Sequence, residues 1–197
     1  MIEHKKIQLS DLCESIDYGF TASASSNQNG PKFLRITDIV PGYVNWSSVP
    51  FTSATKEEQE KYKLYDGDIV IARTGATTGA SIYIKNPPDS IFASYLVRLK
   101  IKPTTSSLFI SYFLKSSFFW NHIKAVLGDK SAQPNASAKT MTSVQLSIPQ
   151  LTEQKAIASL LGALDNKIEN NRQINQTLEE MGRAIFKSWF IDFDPVN

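Results

Sequence analysis

Apolar side chains recur in steps of three and four from Thr152 to Trp189, at Ile157, Leu161, Leu164, Ile168, Ile174, Leu178, Met181, Ile185 and Trp189. That spacing keeps one stripe on one face of a helix with about 3.6 residues per turn. Gly162 and Gly182 are not followed by proline, so each weakens the helix by ~1 kcal/mol relative to alanine without stopping it. At ~1.5 Å per residue the rod would be roughly 55 Å long, too long to lie against the core of one small domain. Its far half calls for a partner. Asn171 interrupts the series Ile157, Leu164, Asn171, Leu178, Ile185, with Asn170 and Asn175 close by. A buried asparagine at such a position lowers stability but fixes register and strand number. Fraying at the asparagines is the alternative, but the apolar spacing resumes in phase beyond them.

Upstream the periodicity is mixed. Gln8 to Ile16 reads as a short helix with Leu9, Leu12 and Ile16 on one face and Ser10 as a cap. Gly19 to Pro31 breaks every period and reads as a long polar loop, of the kind that is often functional or a flexible surface segment. Lys32 to Val40 looks like a strand, and Pro41-Gly42 like a turn. Thr55-Lys56-Glu57-Glu58 matches a capping box opening a short helix towards Tyr62. Asp66-Gly67-Asp68 turns into the β-rich run Ile69 to Arg73, and Ala80 to Ile84 forms the return strand. Val97, Leu99 and Ile101 alternate with Arg98, Lys100 and Lys102, predicting a strand with one wet, basic face. Ser107 to Leu127 returns to helical spacing, ended by Gly128. Strands and short helices without regular βα alternation give an α+β class. The organisation expected is a mixed domain over residues 1–150 followed by a long helix over 151–197.

Composition narrows the classes. With 197 residues, 42% hydrophobic and 20% charged, the chain is ordinary globular material with room for one core and an extension. No apolar run approaches the ~20 residues of a membrane span, and the first residues lack a signal-peptide core, so a cytoplasmic location is expected. A single cysteine excludes an internal disulfide and a cysteine zinc site, and two histidines argue against a histidine metal site. No metal or cofactor is expected. The net charge of +2 divides into +4 over residues 1–151 and −2 over 152–197. That split suits nucleic acid at one end and protein along the other, although many unrelated domains share it.

Three stretches imitate enzyme motifs. Arg73-Thr74-Gly75-Ala76-Thr77-Thr78-Gly79 has Gly-x-x-x-Gly spacing but lacks the Gly-Lys-Ser/Thr ending and following helix of a phosphate loop. Between two strands it can still present Arg73, Thr74, Thr77 and Thr78 to a ligand. Asn86-Pro87-Pro88-Asp89 resembles the Asn-Pro-Pro-aromatic motif of DNA amino-methyltransferases, but carries Asp89 where the aromatic residue stacks on a flipped base. No glycine-rich cofactor loop opens a βαβ unit, so the segment reads as a proline turn. Cys13 paired with His4 or His122 would be a nucleophile, but a lone cysteine on an apolar helix face is ordinary core packing.

The specific signal lies in Gly128-Asp129-Lys130-Ser131-Ala132-Gln133-Pro134-Asn135 and in Ser147-Ile148-Pro149-Gln150-Leu151-Thr152-Glu153-Gln154. With Gly67-Asp68-Ile69, Arg73-Thr74-Gly75 and the ending Phe186-Lys187-Ser188-Trp189-Phe190-Ile191-Asp192-Phe193-Asp194-Pro195, these resemble the DNA-specificity subunits of type I restriction-modification enzymes over essentially the whole chain. Members of that family usually carry two recognition domains and two antiparallel helices. This chain carries one of each, as a half-subunit or a fragment would, and its ending at Asn197 favours the fragment.

The resemblance implies a non-catalytic subunit whose domain reads one half of a bipartite duplex target, and whose helix is a spacer that docks methyltransferase subunits and, through them, the restriction subunit. It further implies two copies pairing their helices antiparallel about a two-fold axis near Asn171. Exposed Trp189, Phe190 and Phe193 would serve the methyltransferase contact or cap the helix against the partner copy. Lysine and arginine supply salt-dependent affinity for phosphates, while Arg, Asn, Gln, Ser and Thr discriminate base edges. The candidate DNA contacts are Thr21, Ser23, Ser25, Asn27 and Gln28 in the first loop with Lys32 and Arg35 beside it, Arg73, Thr74, Thr77 and Thr78 in the hairpin, and Lys130, Gln133, Asn135 and Lys139 in the closing loop. Gln133 has a backbone-holding role as its alternative. A stand-alone DNA methyltransferase and a helix-mediated protein-binding scaffold are the competing readings.

Overall fold

A computed structural model of the chain describes residues 6–128 and 135–194. The chain divides into two compact units, residues 1–155 and 156–197. The fold is mixed α+β. In the first unit a four-stranded antiparallel sheet runs in the order β2 (Cys13–Tyr18), β7 (Leu96–Ile101), β4 (Ile69–Ala72), β5 (Ser81–Tyr83). Two small sheets flank it. One pairs β1 (Lys6–Gln8) antiparallel with β8 (Gln145–Ser147), and the other pairs β3 (Lys32–Leu34) parallel with β6 (Ser90–Phe92).

The unbroken apolar run of β4 is explained by burial on both faces of the sheet, where a strand loses the alternation of one that is half in water. Ile69 and Ile71 join a cluster with Val97 and Leu99, closed by α3 (Ser107–Lys115), α4 (Ser117–Leu127) and α5 (Ala138–Thr142) through Ile110, Leu114, Phe119, Ile123 and Met141. Val70 and Ala72 join the opposite cluster with Leu34, Ile39, Leu64, Ile82, Phe92 and Leu96. The second cluster corrects the expectation of a wet, basic face on β7. Arg98 is only 9% exposed. It sits across from Asp17 in the β2–β7 register and binds that carboxylate at 2.8 Å, while Nη1 donates to the Lys63 carbonyl oxygen. Asp68 lies 3.9 Å from the same guanidinium and accepts the Tyr65 N–H at 2.9 Å. Lys100 remains exposed, paired with Glu14 at 3.5 Å.

Three other local expectations are corrected. Gln8 to Ile16 is not a helix: β1 gives way to a 3-10 turn at Leu9–Leu12 and then to β2. The turn still buries Leu9 and Leu12, but pairing along β7 decides the backbone of residues 13–18, and tertiary context overrides local period. Ser10 caps nothing and donates to Gln8 Oε1 at 3.4 Å. The strand expected over Lys32 to Val40 ends at Leu34 and turns into the short helix α1 (Ile36–Ile39), because the Asp38 carboxylate accepts both the Arg35 backbone N–H at 2.8 Å and the Arg35 guanidinium at 2.9 Å. The helix expected over Ser107 to Leu127 is two helices. At the junction Ser116 Oγ donates to the Phe113 carbonyl oxygen and accepts the Phe119 N–H, a local competition with helical bonding typical of serine. Other signals hold. The Thr55–Glu58 capping box opens α2 (Lys56–Tyr62), Gly128 closes α4 at φ +62, and Asn86 to Asp89 forms the connection between β5 and β6.

The second unit is helical. The helix α6 runs over Leu151–Lys187, opening within the first unit, and passes into a π-helical turn at Ser188–Asp192. In the first turns Gln154 is buried; its Oε1 accepts the Ser106 N–H at 2.9 Å and its Nε2 donates to the Pro149 carbonyl oxygen at 2.9 Å. Leu160, Leu164, Ile168, Ile174, Leu178, Met181 and Ile185 are 52 to 68% exposed, as are Trp189 and Phe190. Leu161 is half-buried and Leu160 takes the more exposed position beside it.

Cys13 lies in β2 rather than on a helix, buried in the first cluster with its thiol donating to the Leu9 carbonyl oxygen at 3.3 Å. Burial pushes the thiol up to about 11. It should therefore stay unmodified by a thiol-reactive disulfide reagent at pH 8 while the protein is folded, since the thiolate is the reactive form. Labelling at a rate matching global unfolding in denaturant is the expected result. Rapid labelling of native protein would contradict this placement.

Candidate nucleic-acid interface

Antiparallel pairing brings the C-terminal ends of β2 and β4 and the N-terminal ends of β7 and β5 to one edge of the central sheet. β3 and β6 point to the same edge, where the Ala93 N–H bonds the Leu34 carbonyl oxygen at 2.9 Å. The polar segments singled out in the sequence start or end there. The first loop leaves at Gly19, whose backbone runs so close to the β6–β7 turn that a Cβ would lie 2.3 Å from the Ala93 carbonyl oxygen. Phe20 then bonds Phe92 and Ser94 through its backbone at 2.8 Å each.

The hairpin between β4 and β5 is held by its own turn. Gly75 and Gly79 have φ of +81 and +98. Thr78 is buried, and its hydroxyl donates to the Gly75 carbonyl oxygen at 2.7 Å. Arg73 stands at the base of this hairpin. Its guanidinium carbon lies 4.7 Å from the centre of the Tyr18 ring, and Nη2 donates to Asn135 Oδ1 at 3.0 Å. Thr74 and Asn135 form a backbone bridge, and the Ala136 N–H bonds the Arg73 carbonyl oxygen at 2.9 Å. Tyr18 Oη accepts the N–H of Ala138, the first residue of α5, at 3.0 Å. Arg73 Nε is buried and has no hydrogen-bond partner among the described residues. Three segments distant in sequence, at residues 18, 73–79 and 135–138, are thus fastened at one exposed edge.

The sequence-predicted residues separate accordingly. Arg73, Thr74 and Asn135 are brought together, with Thr77 half-buried in the same hairpin and Thr78 turned inward as its brace. Lys139 is exposed on α5, beyond Ala138. Thr21, Asn27 and Gln28 are exposed on the first loop. Ser23 and Ser25 tie that loop to the 51–52 segment: the Ser23 carbonyl oxygen accepts from the Thr52 hydroxyl at 3.0 Å, and Ser25 exchanges backbone bonds with Phe51. Arg35 is held by Asp38 at the same sheet edge, whereas Lys32 lies at the far end of β3. Lys32 Nζ donates to the Val49 carbonyl oxygen at 2.7 Å and covers the Phe51 ring at 4.1 Å, so its charge is engaged inside the domain. Lys130 and Gln133 lie outside the described residues, as does His4.

Sequence reasoning passed over Tyr18 and Tyr95, which are 44% and 60% exposed at this edge. For Tyr18 the signal is an aromatic residue at the wet end of a strand, masked because the spacing of residues 8–16 predicts a helix. Among the described residues no group of His, Cys, Asp and Glu could hold a metal ion. His122 Nε2 is bonded to the Thr140 carbonyl oxygen, and Cys13 lies in the core.

The fold has solved counterparts. The S subunit of a type I restriction-modification system from M. genitalium superposes with a TM-score of 0.64 at 18% identity, over 98% of this chain and 48% of that one. The HsdS subunit from Thermoanaerobacter tengcongensis gives 0.59 at 14%, over 93% and 47%. The chain belongs to the type I restriction modification DNA specificity domain family, whose model matches residues 1–180. It is 34% identical to the HindI specificity subunit of Haemophilus influenzae over 205 residues, covering 100% of this chain and 42% of that subunit. It is 22% identical to the EcoKI specificity subunit of Escherichia coli K12, covering 88% and 39%. The chain thus spans less than half the length of these relatives.

Gly19 carries the close approach on which the edge depends. Replacing it with alanine puts a methyl group against backbone, where nothing flexible can yield. G19A is expected to lose about 3 kcal/mol of stability, at the upper end for overpacking, as measured by urea denaturation. Unchanged stability would mean that the first loop does not leave the sheet against Ala93.

Proposed function

We propose that this chain is a non-catalytic DNA-recognition component of a type I restriction-modification system. In this reading, residues 1–150 engage one half of a bipartite duplex target through the edge formed by Arg73, Thr74, Asn135 and the first loop. Residues 151–197 pair with the equivalent helix of a second copy and offer their outer face to methyltransferase subunits, which hold the methyl donor. Restriction subunits join through them. Work on chromosomal or invading DNA sets the location in the cytoplasm.

The observation that carries the pairing is a reflection in the sequence of α6. The apolar steps are 4, 3, 4, 3 from Ile157 to Asn171 and 3, 4, 3, 4 from Asn171 to Ile185. Ile157 and Ile185, Leu161 and Met181, Leu164 and Leu178, and Ile168 and Ile174 are therefore each equidistant from Asn171. A two-fold axis through Asn171 sets each of these eight apolar positions of one helix opposite an apolar position of the other, as a self-complementary interface requires. It also lets the two Asn171 amides meet each other instead of hydrocarbon, the arrangement by which a polar seam residue specifies register. The side chains left exposed on α6 supply the driving force, at ~1.5–3 kcal/mol for each large aliphatic group fully buried. The scaffold reading accounts for the seam but not for the cluster at the sheet edge.

Light scattering on the purified chain should give twice the 22.0 kDa chain mass. L178E should reduce it to the single mass by setting a carboxylate against Leu164 of the second copy, and L164K/L178E should recover part of the dimer at low salt. A doubled mass that L178E leaves unchanged would rule out the helix as the interface. The dimer is expected to bind duplex DNA with an affinity that falls steeply with salt, and to transfer no methyl group by itself.

A further inference from the structure

The Arg73 cluster has an internal division of labour. A guanidinium on a flexible stem loses rotamer freedom when it binds, and Arg73 has lost much of it beforehand. One face lies on Tyr18, Nη2 is tied to Asn135, and the edge bearing Nε is turned into the protein. The base of the side chain is fixed as well, because the Arg73 N–H bonds the Tyr95 carbonyl oxygen at 3.0 Å and its carbonyl oxygen accepts from Ala136. A buried donor with no partner among the described residues is destabilising, so Nε is not oriented for the stability of the domain. A planar fork held in this way suits a ligand with two acceptors in one plane, which lysine cannot match.

Resting on the DNA-recognition reading above, we propose that Arg73 is the anchor by which the sheet edge grips a pair of in-plane acceptors on duplex DNA, and that Tyr18 and Asn135 are positioning residues that hold its guanidinium for that contact. The acceptors are two oxygens of one phosphate or the N7 and O6 edge of a guanine; the geometry demanded of the arginine is the same. Tyr18 acts through its ring face, and its hydroxyl serves a separate bond to Ala138.

The test is a double-mutant cycle read by fluorescence anisotropy across a salt series. The full chain would be titrated against a labelled duplex pool of random sequence, and against the duplexes that the wild-type protein enriches from that pool. R73K should bind about tenfold more weakly, as expected for loss of a bidentate contact, with the salt dependence retained. Y18L should lose about threefold, the size of an exposed cation–π contact, and Y18F, which keeps the ring under Arg73, should lose less than Y18L. In the R73K background Y18L should add almost nothing, and N135A, at an exposed position, should behave in the same way. R73Q separates the acceptors. A salt slope lower by about one on both probes identifies a phosphate, and a loss confined to the enriched duplexes identifies a guanine edge. Melting temperatures within a few degrees of wild type exclude unfolding as the cause, and N135A completes the cycle if Y18L fails to fold. Losses from Y18L or N135A that multiply with those of R73K would overturn the positioning role, and wild-type affinity in R73Q would overturn the anchor. A wild-type chain that binds neither probe at low salt would instead remove the DNA-recognition reading and this proposal with it.

Discussion

The constraint on which the first unit depends is that β4, and β7 except at Lys100, are covered on both faces. A strand sheathed in this way has no free surface except its ends, so anything the domain offers to a ligand must come from the connections. Antiparallel order then selects which connections share an edge: those after β2 and β4 and those before β5 and β7. The polar segments of the sequence are far apart along the chain, yet this topology delivers several of them to one rim. The sheet supplies rigidity, and the loops supply hydrogen-bonding variety. A reading surface needs both.

Covering the second face created an electrostatic problem at Arg98, which the neighbouring strands resolve. An isolated guanidinium at 9% exposure would be severely penalised. Here it is offset by Asp17 on the adjacent strand, by the Lys63 carbonyl oxygen and by Asp68. Burial pushes the Asp68 carboxyl above its ordinary value, against the pull of the Tyr65 N–H and of Arg98. The arrangement joins β2, the end of α2 and the turn before β4. It is an internal tie rather than a surface for nucleic acid, which is why the alternation of basic residues along β7 misleads.

That case marks the limit of what the sequence made legible. The capping box at Thr55, the Asp66-Gly67-Asp68 turn, the hairpin around Gly75 and Gly79 and the helix beyond Leu151 all rest on local chemistry, and local chemistry can be read in one dimension. The segments misread are those where a distant partner decides: residues 13–18, recruited by β7, and residues 36–39, turned by Asp38 rather than extended. The site was legible to the same degree. Arg73, Thr74 and Asn135 could be named from polar loops, but their meeting required the bridge between residues 74 and 135. Tyr18 ends a strand whose first part has helical apolar spacing, and the contact that engages the Lys32 charge with Val49 spans 17 residues, so neither is signalled locally.

The long helix poses the opposite problem, since its sequence says more than the single chain can use. An amphipathic stripe on a helix packed within one domain has no reason to be symmetric about any residue, because the surface beneath it is not. Under a two-fold operation the reflection about Asn171 becomes the condition for matching apolar layers from Ile157 to Ile185, with the Asn171 layer on the axis itself. A parallel pair would match any heptad equally well and would gain nothing from reversing the order of threes and fours at its midpoint. The reversal is therefore an argument for antiparallel association in particular, and it makes the proposed assembly one in which the two recognition domains are related by the same axis that passes through Asn171.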